Sequence, residues 1–141
     1  MSRKTVNVLT GAETIGTYTR GLDLAALKAE KLEALRARRI QARDGGIVVS
    51  ETPIPTDKET RTVLTAARLK TVTDTPFSVP DWKVSNGVFA TLTEAQIIAI
   101  SDAVAAHVQA CFTRERVLTD LINAANTEID LAAININTGW P

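Results

Sequence analysis

The sequence predicts an α+β fold that is mostly helical, with a small antiparallel three-stranded sheet and one long C-terminal helix. Three observations carry this. A capped apolar stripe recurs every seven residues from about Thr93 to Ala125. A second amphipathic run ends on clustered arginines before Gly45-Gly46. Between them, Asn86-Gly87 joins two short segments rich in strand-forming residues. Hydrophobic residues make up 45% of the 141 positions and aromatics only 4%, so the core is aliphatic. The length suits one domain with extended ends. The expected division is an extended N-terminal arm over 1–21, a helical α+β domain over 22–134 and a C-terminal tail over 135–141.

The arm is rich in Thr and Gly, and its Val6 and Val8 alternate with Asn7 as in a short strand. Asp23 is a plausible N-cap for a first helix reaching Arg43. Leu24, Leu27, Leu32 and Leu35 share one broad arc of it, interrupted by Lys28 and Lys31. Arg36, Arg38, Arg39 and Arg43 crowd its C-terminal end, where cations complement the helix dipole. Gly46 to Pro55 reads as one strand around Ile47-Val48-Val49, and Pro53 and Pro55 make it an edge strand or one that ends there. Thr56 and Glu59 have capping-box spacing and open a helix from Asp57 to about Val72. It offers Val63, Leu64, Ala66, Ala67 and Leu69 to the core.

A loop over Thr73–Pro80 precedes a hairpin in which Asn86-Gly87 supplies the two positive φ values of a type I′ turn. Trp82 and Val84 share one of its faces. The Ile47 strand is its expected third member, because a two-stranded ribbon alone is marginal. Thr93 with Gln96 forms a capping box, and Leu92 with Ile97 occupies the staple positions. The stripe of Ile97, Val104, Cys111, Leu118 and Ala125 follows, widened by Ile100, Val108, Leu121 and Ile122. About 30 residues of helix span about 45 Å. Asn126 or Thr127 caps a short last helix through Ile134.

The composition narrows the functional classes. Sixteen basic residues balance sixteen acidic ones, which gives no global drive toward nucleic acid or an anionic membrane. One cysteine makes no intrachain disulfide and no two-cysteine metal or redox motif. No apolar run is expected to reach the roughly 18–20 residues that span a bilayer, and the first 20 residues lack the apolar core of a signal peptide. His107 is the sole histidine and has neither a second imidazole nor a triad partner beside it. Cys111 sits on the apolar stripe, where burial as a small hydrophobe is expected. The arginine cluster lacks interleaved aromatics and reads as a solvated helix end or protein-binding rim. Asp57 and Glu59 are explained by capping. No catalytic, cofactor-binding or metal-binding residue is expected, and the chain is not expected to be an enzyme. Trp82 is a core anchor. Trp140, next to the last residue, either folds back onto the domain or docks in a partner. Val6, Val8, Tyr18, Trp140 and Pro141 are the candidate partner-docking residues.

The order of these features resembles a domain-of-unknown-function family encoded among tail-fibre genes of tailed bacteriophages and prophages. The residues that carry the resemblance are Gly45-Gly46-Ile47-Val48-Val49, Thr56 to Arg61, Trp82 with Asn86-Gly87, Leu92-Thr93, His107, Cys111-Phe112 and the final Gly139-Trp140-Pro141. The resemblance implies a structural protein of the phage tail, at the tail tip, baseplate or fibre attachment, that works by protein–protein docking. The alternative it implies is a tail-fibre assembly chaperone absent from the finished virion. Its partners would be other phage tail proteins and further copies in a homo-oligomer, with no nucleic acid, membrane or cofactor. The chain would be made in the host cytoplasm and reside in the virion tail.

Overall fold

The computed structural model describes residues 13–141, with side chains from Asp23 onward. The elements run α1 (Glu13–Arg43), β1 (Ile47–Val49), β2 (Thr52–Ile54), α2 (Lys58–Thr73), β3 (Val79–Ser85), β4 (Val88–Leu92), α3 (Glu94–Ala124) and α4 (Glu128–Ala132). The fold is α+β and mostly helical, with a long helix toward the C-terminus, as the sequence predicts. The backbone forms two compact units. Among the described residues, one comprises 13–37 with Glu115–Thr138, and the other Arg38–Arg114 with Gly139–Pro141.

The first unit takes its interior from Leu35, Leu118, Ile122, Ala125 and Leu131, all buried. Lys28 and Lys31, which interrupt the apolar arc of α1, satisfy carbonyls at other helix ends. Lys28 Nζ donates to the Asn123 carbonyl at 3.0 Å and Lys31 Nζ to the Leu131 carbonyl at 2.6 Å. These carbonyls lie in the last turns of α3 and α4, and the Leu131 carbonyl also accepts from the Ile134 N–H at 3.2 Å. Helix α1 begins at Glu13, so Asp23 lies inside it instead of capping it. The helix runs through Gly16 and Gly21, whose propensity cost of about 1 kcal/mol each weighs against a start this early in a reading of local preference. Val6 and Val8 lie outside the described residues, as does the side chain of Tyr18.

The second unit holds one core cluster of Ile54, Leu64, Ala67, Trp82, Leu92, Ile97, Ile100 and Val104. The expected three-stranded sheet is replaced by two two-stranded antiparallel sheets, β1–β2 and β3–β4. The single strand expected from Gly46 to Pro55 is a hairpin with Ile47 opposite Ile54 and Val49 opposite Thr52. Its turn is Ser50-Glu51, with φ of +49° and +67°. Neither residue is a usual choice for positive φ, so the sequence hides the reversal. In the β3–β4 hairpin only Gly87 has a positive φ, +77°, and Asn86 does not join it. The type I′ geometry expected there is therefore not adopted, and register shifts flank the Lys83/Ser85 and Val79/Trp82 steps. Trp82 is buried, with the half-buried Val84 packed against the same cluster.

Helix α2 is capped by Asp57, whose carboxylate accepts from the Thr60 N–H at 3.3 Å. Thr56 is drawn inward to another task and does not form the expected box with Glu59. The apolar face of α2 is narrower than expected: Leu64 and Ala67 are buried, while Val63 and Leu69 are exposed. Helix α3 opens as its sequence specifies. The Thr93 N–H donates to Gln96 Oε1 at 2.9 Å, the Gln96 N–H donates to Thr93 Oγ1 at 3.3 Å, and Leu92 and Ile97 are both buried. All five positions of the seven-residue stripe are buried, whereas Leu121 is half exposed. Thr127 caps α4 by accepting from the Asp130 N–H at 3.0 Å.

Candidate functional site

Three arrangements define the surface of the second unit. The first is a polar junction where α1 ends. Thr56 is fully buried; its hydroxyl accepts from the Gly46 N–H at 2.8 Å and donates to the Arg43 carbonyl at 2.5 Å. Asp44 Oδ1 receives Arg43 Nε and Arg61 Nη1, each at 2.8 Å, and Arg61 Nη1 also donates to the Thr56 carbonyl at 2.6 Å. His107, buried on α3, donates Nε2–H to the Ala42 carbonyl at 3.0 Å. Thr56 and His107 thus bond the Arg43 and Ala42 carbonyls in the last turn of α1, and the Ala42 carbonyl also accepts from the Gly45 N–H at 3.2 Å. The sole histidine thus terminates a helix.

Cys111 Sγ lies 3.9 Å from the same imidazole nitrogen and is fully buried. Burial pushes its thiol pKa up, against the opposing pull of Arg39, Arg43 and Arg38. A buried thiol held in its neutral form is an inert packing group. Among the described residues no group of three or more His, Cys, Asp or Glu is placed to hold a metal ion.

The Asp44 carboxyl is held below its ordinary range, first by the hydrogen bond from Arg43 and then by that from Arg61, against desolvation. Its folded pKa is depressed, so its contribution to stability is present above the unfolded-state value and disappears as pH falls through the folded one. Asp44→Asn is expected to cost about 1–2 kcal/mol at neutral pH, since the group is partly exposed and its partners are charged. Denaturant titrations at neutral pH and below pH 4 check this: the variant should lose less stability on acidification than the native chain.

The second arrangement anchors the C-terminus. The Arg38 guanidinium lies 5.3 Å from the Trp140 ring centroid, and the ring is half buried. Gly139 has a φ of +78°, and a Cβ there would meet the Arg114 guanidinium at 2.8 Å. The left-handed backbone is what favours glycine here, since the guanidinium is the far end of a flexible side chain and can shift. Of the two fates expected for Trp140, the structure adopts the fold-back, and Pro141 stays exposed. The arginine cluster is correspondingly not a uniformly solvated rim. Arg39 is buried with its guanidinium 4.5 Å from the Phe112 centroid, and Arg43 pairs with Asp44, while Arg36 remains exposed.

The third arrangement is a groove of about 770 Å³ lined by α2 and α3. Leu64, Val104 and Val108 contribute to its apolar lining, and Leu69, Val72 and Phe112 stand 68%, 72% and 43% exposed along it. Arg68 faces Asp102 at 3.9 Å on its rim. Ser101 Oγ, also in the lining, is buried without a hydrogen-bond partner. Leu69, Val72 and Phe112 thus display apolar side chains together along one groove. Leu69, which apolar periodicity would assign to the core, instead stands on this groove. In the first unit a separate groove of about 600 Å³ is lined by Leu27, Lys31, Ile129 and Leu131, with Ile129 82% exposed.

By length and composition α3 is also apolar enough to cross a membrane, with a window of mean hydropathy 1.3. This corrects the expectation that no run reaches bilayer length. Alanines separate the larger apolar residues, so the run is inconspicuous residue by residue. Its Ile97, Ile100 and Val104 are core residues packed with Leu64 and Trp82, as in the core helix of a folded domain.

A family model described as Domain of unknown function (DUF4376) matches residues 26–135. The chain belongs to this family. The matched span takes in the polar junction, both hairpins and the α2–α3 groove of this chain. Gly139-Trp140-Pro141 and the N-terminal arm lie outside it. No curated protein and no solved structure matches the chain.

Proposed function

We propose that this DUF4376 chain is a structural component of a bacteriophage tail, at the tail tip, baseplate or fibre attachment, and that it acts by docking to other proteins without chemistry of its own. The phage association rests on the resemblance of its sequence to tail-associated proteins. The observation that carries the docking is the α2–α3 groove, where Leu69, Val72 and Phe112 are exposed together. Covering a Leu, Val or Phe fully contributes about 1.5–3 kcal/mol for each side chain, and clustered apolar exposure of this kind marks protein contact sites. The partners are other tail proteins and further copies of the chain; nucleic acid and membrane are not among them. The protein is made in the host cytoplasm and resides in the tail.

Leu69→Asp with Val72→Asp tests the docking. Both side chains are exposed, so the helical circular dichroism should persist. Recovery of tail proteins with the tagged chain from an induced lysate should fall at least tenfold. Undiminished recovery with the double variant would remove the groove from the account.

A further inference from the structure

We propose that the α2–α3 groove packs against the same groove of a second copy of this chain, about a two-fold axis that runs along the helices. The inference rests on the docking reading above and names the occupant of the groove. Both walls have one periodicity. The lining positions of α2 run from Arg61 to Val72 in steps of 3, 1, 3, 1 and 3 residues, and those of α3 run from Ser101 to Phe112 in the same steps, with Asp102 on the rim. That spacing is the face a helix turns toward other helices. Each stripe is about 17 Å long. Two antiparallel helices that present matched stripes form half of a four-helix bundle.

The level of each side chain along the groove follows from two contacts. Thr75, just beyond α2, donates Oγ1–H to Glu94 Oε1 at the start of α3 at 3.0 Å, and Arg68 stands beside Asp102. The two helices therefore run antiparallel. Leu69 lies level with Ser101, and Thr65 with Ala105. A two-fold axis along the helices sets α2 opposite α3 of the second copy, antiparallel to it and at the same level. The exposed Leu69 then meets the small Ser101 and Ala105 of the second copy, and an interface of this kind is self-complementary.

Charge selects this axis over the other in-plane choice. Helix α2 carries Lys58, Arg61, Arg68 and Lys70 against a single acid, Glu59. From Glu94 to Phe112, α3 carries Glu94 and Asp102 and no lysine or arginine. An axis across the helices would stack α2 on α2 and α3 on α3, and like charges opposed in an interface are costly. The axis along them sets Arg68 opposite Asp102 of the second copy, twice. Within one chain that pair is loose, at 3.9 Å, with side chains 39% and 70% exposed, so both charges are open to the second copy.

The test uses the full chain. Light scattering over rising concentration should show the mass move from 15.2 kDa to twice that value. Arg68→Asp alone sets acid against acid across the axis, and Asp102→Arg alone sets base against base. Each should raise the concentration needed for the dimer at least about tenfold, with helical circular dichroism retained. An equimolar mixture of the two variants restores both attractive pairs and should dimerise as the native chain does. Under mild oxidation a mixture of Thr65→Cys and Ala105→Cys chains should give a covalent heterodimer, while neither alone cross-links; the native Cys111 is buried and does not compete. A native chain that stays monomeric at every concentration overturns the proposal, as do charge variants that dimerise like the native chain or cysteine variants that cross-link only with their own kind. A monomeric native chain whose recovery of tail proteins still falls with Leu69→Asp and Val72→Asp overturns self-packing and leaves the docking reading standing.

Discussion

Trp82→Ala is expected to destabilise the protein by about 3–5 kcal/mol, the cost of truncating a buried tryptophan. Trp82 is only 8% exposed, in a cluster formed by both hairpins, α2 and α3. Most of its neighbours in that cluster are aliphatic, with Phe77 packed partly buried against it. A urea titration followed by far-ultraviolet circular dichroism measures the shift, because tryptophan fluorescence is changed by the substitution itself. Trp140→Ala is the internal comparison. Its ring is half buried and held by a cation–π contact, so its loss should cost about 1 kcal/mol. Equal effects at the two positions would mean that the core is not centred on Trp82.

Thr56→Val is expected to cost about 2–4 kcal/mol although the two side chains have nearly the same shape. The hydroxyl bridges the Gly46 N–H and the Arg43 carbonyl from a fully buried position. Valine leaves both backbone groups without this partner, at about 1–3 kcal/mol for each group that water does not reach. Thr56→Ser keeps the bridge and should recover most of the loss. The same titration reads both variants, and a Val variant as stable as the Ser variant would remove the bridge from the account of how α1 ends.

Local signals with one interpretation were legible in the sequence. The Thr93–Gln96 box, the Leu92–Ile97 staple and the seven-residue stripe each depend on side chains within a turn or two of helix, and each is formed in the structure. Thr56 shows where local spacing misleads. Its position relative to Glu59 suits a capping box, but a deep tertiary contact with Arg43 and Gly46 claims the hydroxyl, and Asp57 becomes the cap. The Ser50-Glu51 turn was invisible because neither residue announces positive φ, and that one turn converts the expected third strand into a separate hairpin.

The α2–α3 groove was hidden for a related reason. Periodicity tells which residues are apolar but not how wide a strip the partner helix covers, so Leu69 was assigned to the interior and is 68% exposed. Placement of Trp140 required the fold itself, since Arg38 and Gly139 are brought together only when the chain end returns to the second unit. The roles of His107 and Cys111 were legible only in part. Their place on or near the stripe indicated burial, while the Ala42 carbonyl that His107 satisfies is 65 residues away in the chain.

The central proposal is that this DUF4376 chain serves as a docking component of a phage tail. It is tested most directly by quantitative mass spectrometry of purified phage particles from a lysate that contains the chain. The account predicts that the chain is present in washed particles at a fixed ratio to the other tail proteins, and that the ratio survives further purification. Its absence from particles, with abundant chain in the lysate, would contradict that claim and assign the protein to assembly of the fibre instead.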